Sequence, residues 1–287
     1  MDKTVHLHTN SATIDRFLIH AEEVLDHPHP NVLLCHETFF FTDSAHHILS
    51  VCEPYVASLF DLVTVFLTVD PQPYPIIPEP QLAYILSHVR PPSFSVRLPR
   101  SSSSSSDLVG CSPQTIKGLC FSQEVHPVHD EIKLENILIT PDGRIVLSEI
   151  GWKLPDYPQR RSGVGCPLNY SPEKVKGNKY DGRSDVWSLA IAVRELIEGE
   201  MPYMEFPPLR ALFLITTKGL PEFKKPELLS EEFKAFDLHC TVKEPENRPT
   251  AVDLLKEPLL EKACSKEEFL RFMEEFATLR DNQPAQI

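Results

Sequence analysis

The chain has 287 residues, a net charge of −13, 41% hydrophobic and 24% charged residues, enough for one large domain or two modest ones with a buried core. Its acidity disfavours nucleic acid and anionic membranes as partners, because phosphate contact needs clustered Lys and Arg. Seven cysteines without a C-x-x-C pair point to reduced, packed thiols and a cytoplasmic setting.

The opening MDKTVHLHTN lacks the basic-then-apolar pattern of a signal peptide. Residues 14–25 place apolar groups at 14, 17, 18, 21, 24 and 25, which predicts an amphipathic helix ending before His27-Pro28-His29-Pro30. No acid or Cys stands at ligand-like spacing around those histidines or around His46-His47, so no metal is expected there. Val32-Leu33-Leu34, Phe39-Phe40-Phe41 and Ile48-Leu49-Ser50-Val51 read as short strands of an antiparallel ribbon. Ala57 opens a helical segment, and the apolar stretch 57–69 is interrupted by Asp61 and too short to span a bilayer.

Residues 70–114 change character. PQPYPIIPEP is proline-rich, a helix is expected over 81–89, and Pro91-Pro92 stops it. Six consecutive serines, 101–106, follow Arg100 and predict a disordered insertion over about 90–114, either a plain linker or a site of regulatory phosphorylation. Order returns with a helix from Thr115. Pro141-Asp142-Gly143 reads as a hairpin turn between the apolar runs Ile137-Leu138-Ile139 and Ile145-Val146-Leu147. Residues 185–193 are apolar almost all round, the pattern of a central buried helix. A charged amphipathic helix, expected to be solvated, runs from Lys266 to about Arg280.

Between these elements lies the stretch that organises the chain. His129-Asp130-Glu131 is followed by Lys133 and Asn136, and the next apolar run delivers Glu149-Ile150-Gly151. The pair resembles the catalytic and metal loops of eukaryotic protein kinases, His-Arg-Asp-x-x-x-x-Asn and Asp-Phe-Gly. Ser171-Pro172-Glu173 resembles the Ala-Pro-Glu motif. Met201-Pro202-Tyr203, the run from Pro208, Lys218-Gly219-Leu220-Pro221-Glu222 and Pro245-Glu246-Asn247-Arg248-Pro249-Thr250-Ala251 are most similar to the PAK branch of the serine/threonine kinases.

The resemblance implies an α+β, protein-kinase-like fold with an incomplete, small β-rich N-lobe and a mostly helical C-lobe. It divides the chain into a partial N-lobe over 1–56, a C-lobe over 57–262 carrying the insertion, and a charged helical tail over 263–287. It further implies that Glu173 pairs with Arg248, that Asp185 accepts hydrogen bonds from the catalytic-loop backbone, and that His129 packs beneath Ile150.

The chemical positions depart from the family. Glu131 stands where the catalytic Asp belongs, its extra methylene moving the carboxylate by about 1 Å, an error that can cost about a hundredfold. Glu149 replaces the Asp that binds Mg2+, an ion that tolerates little geometric error. Lys133 and Asn136 match the phosphate-contacting Lys and the second metal ligand. The first glycine is Gly110, so no Gly-rich phosphate loop precedes the ribbon, and Lys3 is the one lysine before Lys117 that could anchor nucleotide phosphates. Its helix partner would fall near His20, with Glu22 or Glu23 a shift away. Ser162 matches the activation-loop phosphosite, Asp130 replaces the Arg that would clasp its phosphate, and Cys166 replaces a bridging Thr.

Three readings follow from the resemblance. One is a catalytically impaired pseudokinase that serves a protein partner, such as an active kinase, as scaffold or allosteric regulator. Another is a weakly active or truncated serine/threonine kinase using ATP and Mg2+. The third is a gene-model fragment.

Overall fold

The computed structural model describes residues 2–7, 29–42, 46–70, 74–87, 114–125, 128–148 and 167–282. The sequence-predicted helix over 14–25, the serine run, Glu149, Ile150, Ser162 and Cys166 lie outside them.

Among the described residues the first layer is a small antiparallel sheet. β1 (Asp2–Leu7), β2 (Cys35–Thr42) and β3 (His46–Cys52) are arranged in the order β1-β3-β2. The expected ribbon is present: Phe39 faces Leu49 and Phe40 faces Ile48 across the β2–β3 ladder. The run before it behaves differently. Val32 makes an isolated parallel bridge to Leu147, and Leu33 N–H donates to Leu147 O at 2.8 Å, so this segment ties the small sheet to the larger body.

A second three-stranded sheet joins β4 (Ala57–Ser58), β5 (Ile137–Ile139) and β6 (Ile145–Leu147) in that order. Ser58 then caps α1 (Leu59–Val69) through a reciprocal box with Asp61, which starts the helix two residues later than the apolar run suggested. α2 (Glu79–Leu86) follows, shorter than the 81–89 expectation at its far end. α3 (Gln114–Val125) leads to the catalytic-type loop and the β5–β6 hairpin.

The rest is helical: α4 (Pro172–Val175), α5 (Arg183–Glu198), α6 (Pro208–Thr217), α7 (Glu231–Cys240), α8 (Ala251–Leu254) and α9 (Lys266–Asp281). α5 is the axis of the core, with thirteen of its sixteen residues buried, including Trp187, Asp185 and Arg194. Arg194 is neutralised there by Asp237 through two 2.7 Å hydrogen bonds and stacks 4.2 Å from the Phe223 ring. Together these features make an α+β, protein-kinase-like fold, a small sheet followed by a mostly helical body.

α9 departs from its reading as a solvated tail. Phe269, Phe272, Met273 and Phe276 recur at helical spacing and are buried in the main core. Phe269 stacks on Tyr84 at 4.1 Å and Phe272 on Phe66 at 5.4 Å, so the helix closes the core over α1 and α2. No helix among the described residues is long and apolar enough to cross a membrane.

Candidate active-site loop

The loop over 128–136 is held by the backbone of its first half. His129 and Asp130 N–H groups each donate to the Asp185 carboxylate at 2.8 Å, and Gln123 Nε2 adds a third bond at 3.1 Å. Asp185 sits in the first turn of α5, where a carboxylate is favoured by the helix dipole. Burial pushes its carboxyl up to about 6, against the pull of the three donors. The pairing expected for Asp185 is therefore present, with Gln123 as a donor that no motif announced.

The second half closes on itself. Asn136 Nδ2 donates to Glu131 O at 2.8 Å, and Asn136 N donates to Lys133 O at 3.0 Å. Ser148 N donates to Asn136 O at 2.9 Å, which docks the end of β6 against the loop and leads directly into Glu149. Lys133 Nζ lies 3.8 Å from Glu131 Oε2, with both side chains partly buried.

Glu131, Lys133 and Asn136 are thus brought into one small region by a turn of 3₁₀ helix over Leu134–Asn136. Lys3 lies on β1 opposite Ser50; its side chain and Glu149 fall outside the described residues. Chemically, Glu131 can accept a proton or orient a hydroxyl, and Lys133 can meet an anion. With its amide nitrogen committed to Glu131 O, Asn136 has Oδ1 to offer a cation. No cluster of three or more His, Cys, Asp or Glu side chains among the described residues is arranged to hold a metal ion.

Below the loop, the expected Glu173–Arg248 pair is formed and buried, with bonds of 2.8 and 3.1 Å. The structure also shows what the motifs did not. Lys174 Nζ donates to Asp130 Oδ1, and Tyr180 Oη reaches the same oxygen at 3.3 Å. Lys174 Nζ sits 3.9 Å from the centre of the Tyr170 ring. Residues 130 and 174 are 44 apart in sequence, and no spacing rule joins them; the one available signal was the acid at position 130.

A loop fastened to the head of a buried central helix, above a Glu–Arg clasp, is the framework of a protein kinase. A family model, protein tyrosine and serine/threonine kinase, matches residues 3–257, and the chain belongs to that family. Within it the chain is similar to serine/threonine-protein kinases of the PAK type. It is 41% identical to pakD of Dictyostelium discoideum over 181 residues, which is 61% of this chain and 10% of that protein. Against pakB of the same organism the identity is 45% over 155 residues, 53% of this chain and 18% of the relative. CLA4 of Eremothecium gossypii shares 39% over 163 residues, 56% of this chain and 21% of the relative. The matched stretch spans only a minor part of the length of these relatives.

Proposed function

We propose that the chain is a catalytically impaired protein-kinase homologue, a pseudokinase, acting as scaffold or allosteric regulator of a protein partner such as an active kinase. One observation carries this reading. The frame of the catalytic loop is kept through Asp185, while the acid at its chemical centre is Glu131, its carboxylate turned toward Lys133 at 3.8 Å. A loop that keeps its fastening to the fold while its central acid is changed fits a chain whose framework is used for structure rather than turnover. A cytoplasmic setting, with neither nucleic acid nor membrane as partner, belongs to the same reading. So does the division into a partial N-lobe over 1–56, a C-lobe over 57–262 and a helical tail.

Phosphoryl transfer in the family depends on positioning and charge neutralisation, for which ATP supplies the phosphoryl group and Mg2+ the countercharge. In this chain Lys133 would meet the phosphates, with Lys3 as a second anchor, and Asn136 together with Glu149 would hold the metal. That Glu131, Lys133 and Asn136 still converge favours a second reading, a weakly active serine/threonine kinase.

The two readings part in one experiment. Mg-ATP is expected to leave the melting temperature unchanged, and transfer of phosphate from ATP to a basic peptide is expected to be absent. A thermal shift abolished by Lys133→Ala and Asn136→Ala would sink the no-nucleotide form. Transfer that disappears in Glu131→Ala would overturn the impaired reading and establish the second.

A further inference from the structure

In the kinase family the residue after the loop His is an Arg, and activation segments are ordered when such guanidinium groups take up a phosphate. Here that residue is Asp130, and its surroundings are built for an anion. Its backbone stands at φ 71°, in the left-handed region that Asp tolerates better than most residues. Its carboxylate receives Lys174 Nζ and the Tyr180 hydroxyl, and Lys174 Nζ also reaches the Asp130 carbonyl oxygen at 3.5 Å. The Lys174 ammonium is flanked by the Tyr170 ring at 3.9 Å and the Tyr180 ring at 5.6 Å, faces that favour a cation. The two charged side chains are only 9% and 19% exposed.

The elements carrying the pair are themselves anchored. Asp130 N is fixed by Asp185, and Lys174 directly follows Glu173, whose carboxylate is clasped by Arg248. Ser171 caps the short α4 that presents Lys174. The contact therefore joins two rigid points, the catalytic-type loop and the segment that follows the activation region.

We propose that Asp130–Lys174 is a built-in replacement for the Arg–phosphate contact, with its polarity reversed. The loop supplies the anion and α4 supplies the cation, so the two are locked together without phosphorylation. Lys174 is a positioning residue in this scheme, acting through Asp130. Position 130 offers a phosphate a carboxylate rather than a guanidinium, so phosphorylation of the activation region has no ordering effect through it. The inference concerns order, not turnover, and stands whether or not the loop transfers phosphate.

The test is amide hydrogen exchange on the full chain, read at residues 129–131 and 172–180. Phosphatase-treated protein and protein phosphorylated by an added PAK-type kinase are expected to show the same protection. Lys174→Met is expected to speed exchange there by roughly two to three orders of magnitude, the scale for removing one partner of a buried pair. Lys174→Arg should keep the protection. Asp130→Asn combined with Lys174→Met should recover much of it, since no unpaired buried charge remains. Asn is chosen because it also accepts the left-handed backbone. Protection that depends on phosphorylation, or that survives Lys174→Met undiminished, would overturn the proposal. The phosphatase comparison needs no variant and can overturn the proposal even if a substitution prevents folding.

Discussion

The Arg248 guanidinium donates to both oxygens of Glu173, at 2.8 and 3.1 Å, where the two side chains are 0% and 4% exposed. Arg248 also donates to Arg183 O at 2.8 Å and to Val242 O at 2.9 Å, and lies 5.2 Å from the Trp187 ring. Burial acts to raise the Glu173 carboxyl, but the Arg248 hydrogen bonds and charge, together with hydrogen bonds from the local backbone and Ser171, outweigh it and hold the group below its ordinary value. Replacing Arg248 with Ala leaves a buried carboxylate and several carbonyl groups unpaired. A loss of about 3–5 kcal/mol is expected, measured by urea unfolding; a loss under about 1 kcal/mol would show that the clasp is dispensable.

Asp185 is the second fastening. In Asp185→Asn one amide oxygen can still accept, but the NH2 group faces a backbone donor, so at least one of the His129 and Asp130 N–H groups loses its acceptor. Each hydrogen bond to a charged group contributes about 1.5–3 kcal/mol. Exchange of those two amides should quicken well beyond that of the α5 interior, and uniform acceleration across α5 would instead indicate general unfolding.

Glu195 predicts a pH dependence. Its carboxyl is buried on α5, and burial, with the charge of Glu135 adding to it, pushes it up to about 7. The folded chain therefore binds a proton there that the unfolded chain releases near 4.5. Stability from this group is complete below about pH 4.5 and falls as pH rises to about 7. At about 1.4 kcal/mol per unit, the loss is on the order of 3 kcal/mol. Glu195→Gln should match the parent at pH 4.5 and melt higher at pH 8; parallel curves would refute the buried acid.

Gly199 ends α5 at φ 79°, and a Cβ there would stand 2.6 Å from Ile76 Cδ1 and 3.1 Å from Leu67 Cδ1. Gly199→Ala should cost about 2 kcal/mol or more, from left-handed strain plus overpacking. Gly177, at φ 72° with nothing within 4 Å of its Cβ position, isolates the strain alone. Gly177→Ala should therefore cost less than Gly199→Ala in thermal unfolding.

If long acids impair the loop, shortening them should help. The double variant Glu131→Asp, Glu149→Asp is expected to bring ATP-dependent phosphate transfer to a basic peptide, absent in the parent, to at least about tenfold over the assay background, within the roughly hundredfold that a 1 Å error can cost. An unchanged rate would place the impairment elsewhere than in the length of these two acids.

Much of the framework was legible in the sequence because it is written in short-range patterns. The 128–139 stretch, Ser171-Pro172-Glu173, the apolar run of α5 and the Arg248 motif each carry their meaning within a dozen residues. Their order named the fold, and with it the Glu173–Arg248 and Asp185 pairings. The ribbon of β2 and β3 was readable from its aromatic and β-branched runs. Other features had no local signal. Gln123 beside Asp185, Arg194 against Asp237, Lys174 beneath Asp130, and α9 closing over Tyr84 and Phe66 all join residues far apart in the chain. Spacing rules describe neighbours on one helix or strand, whereas partners of this kind are chosen only when separate elements pack and buried charges must find counterparts. The sequence by itself determined a kinase framework with altered acids at its centre. Only the tertiary structure decided what the acid at position 130 is for, because the cation that neutralises it arrives on a different helix.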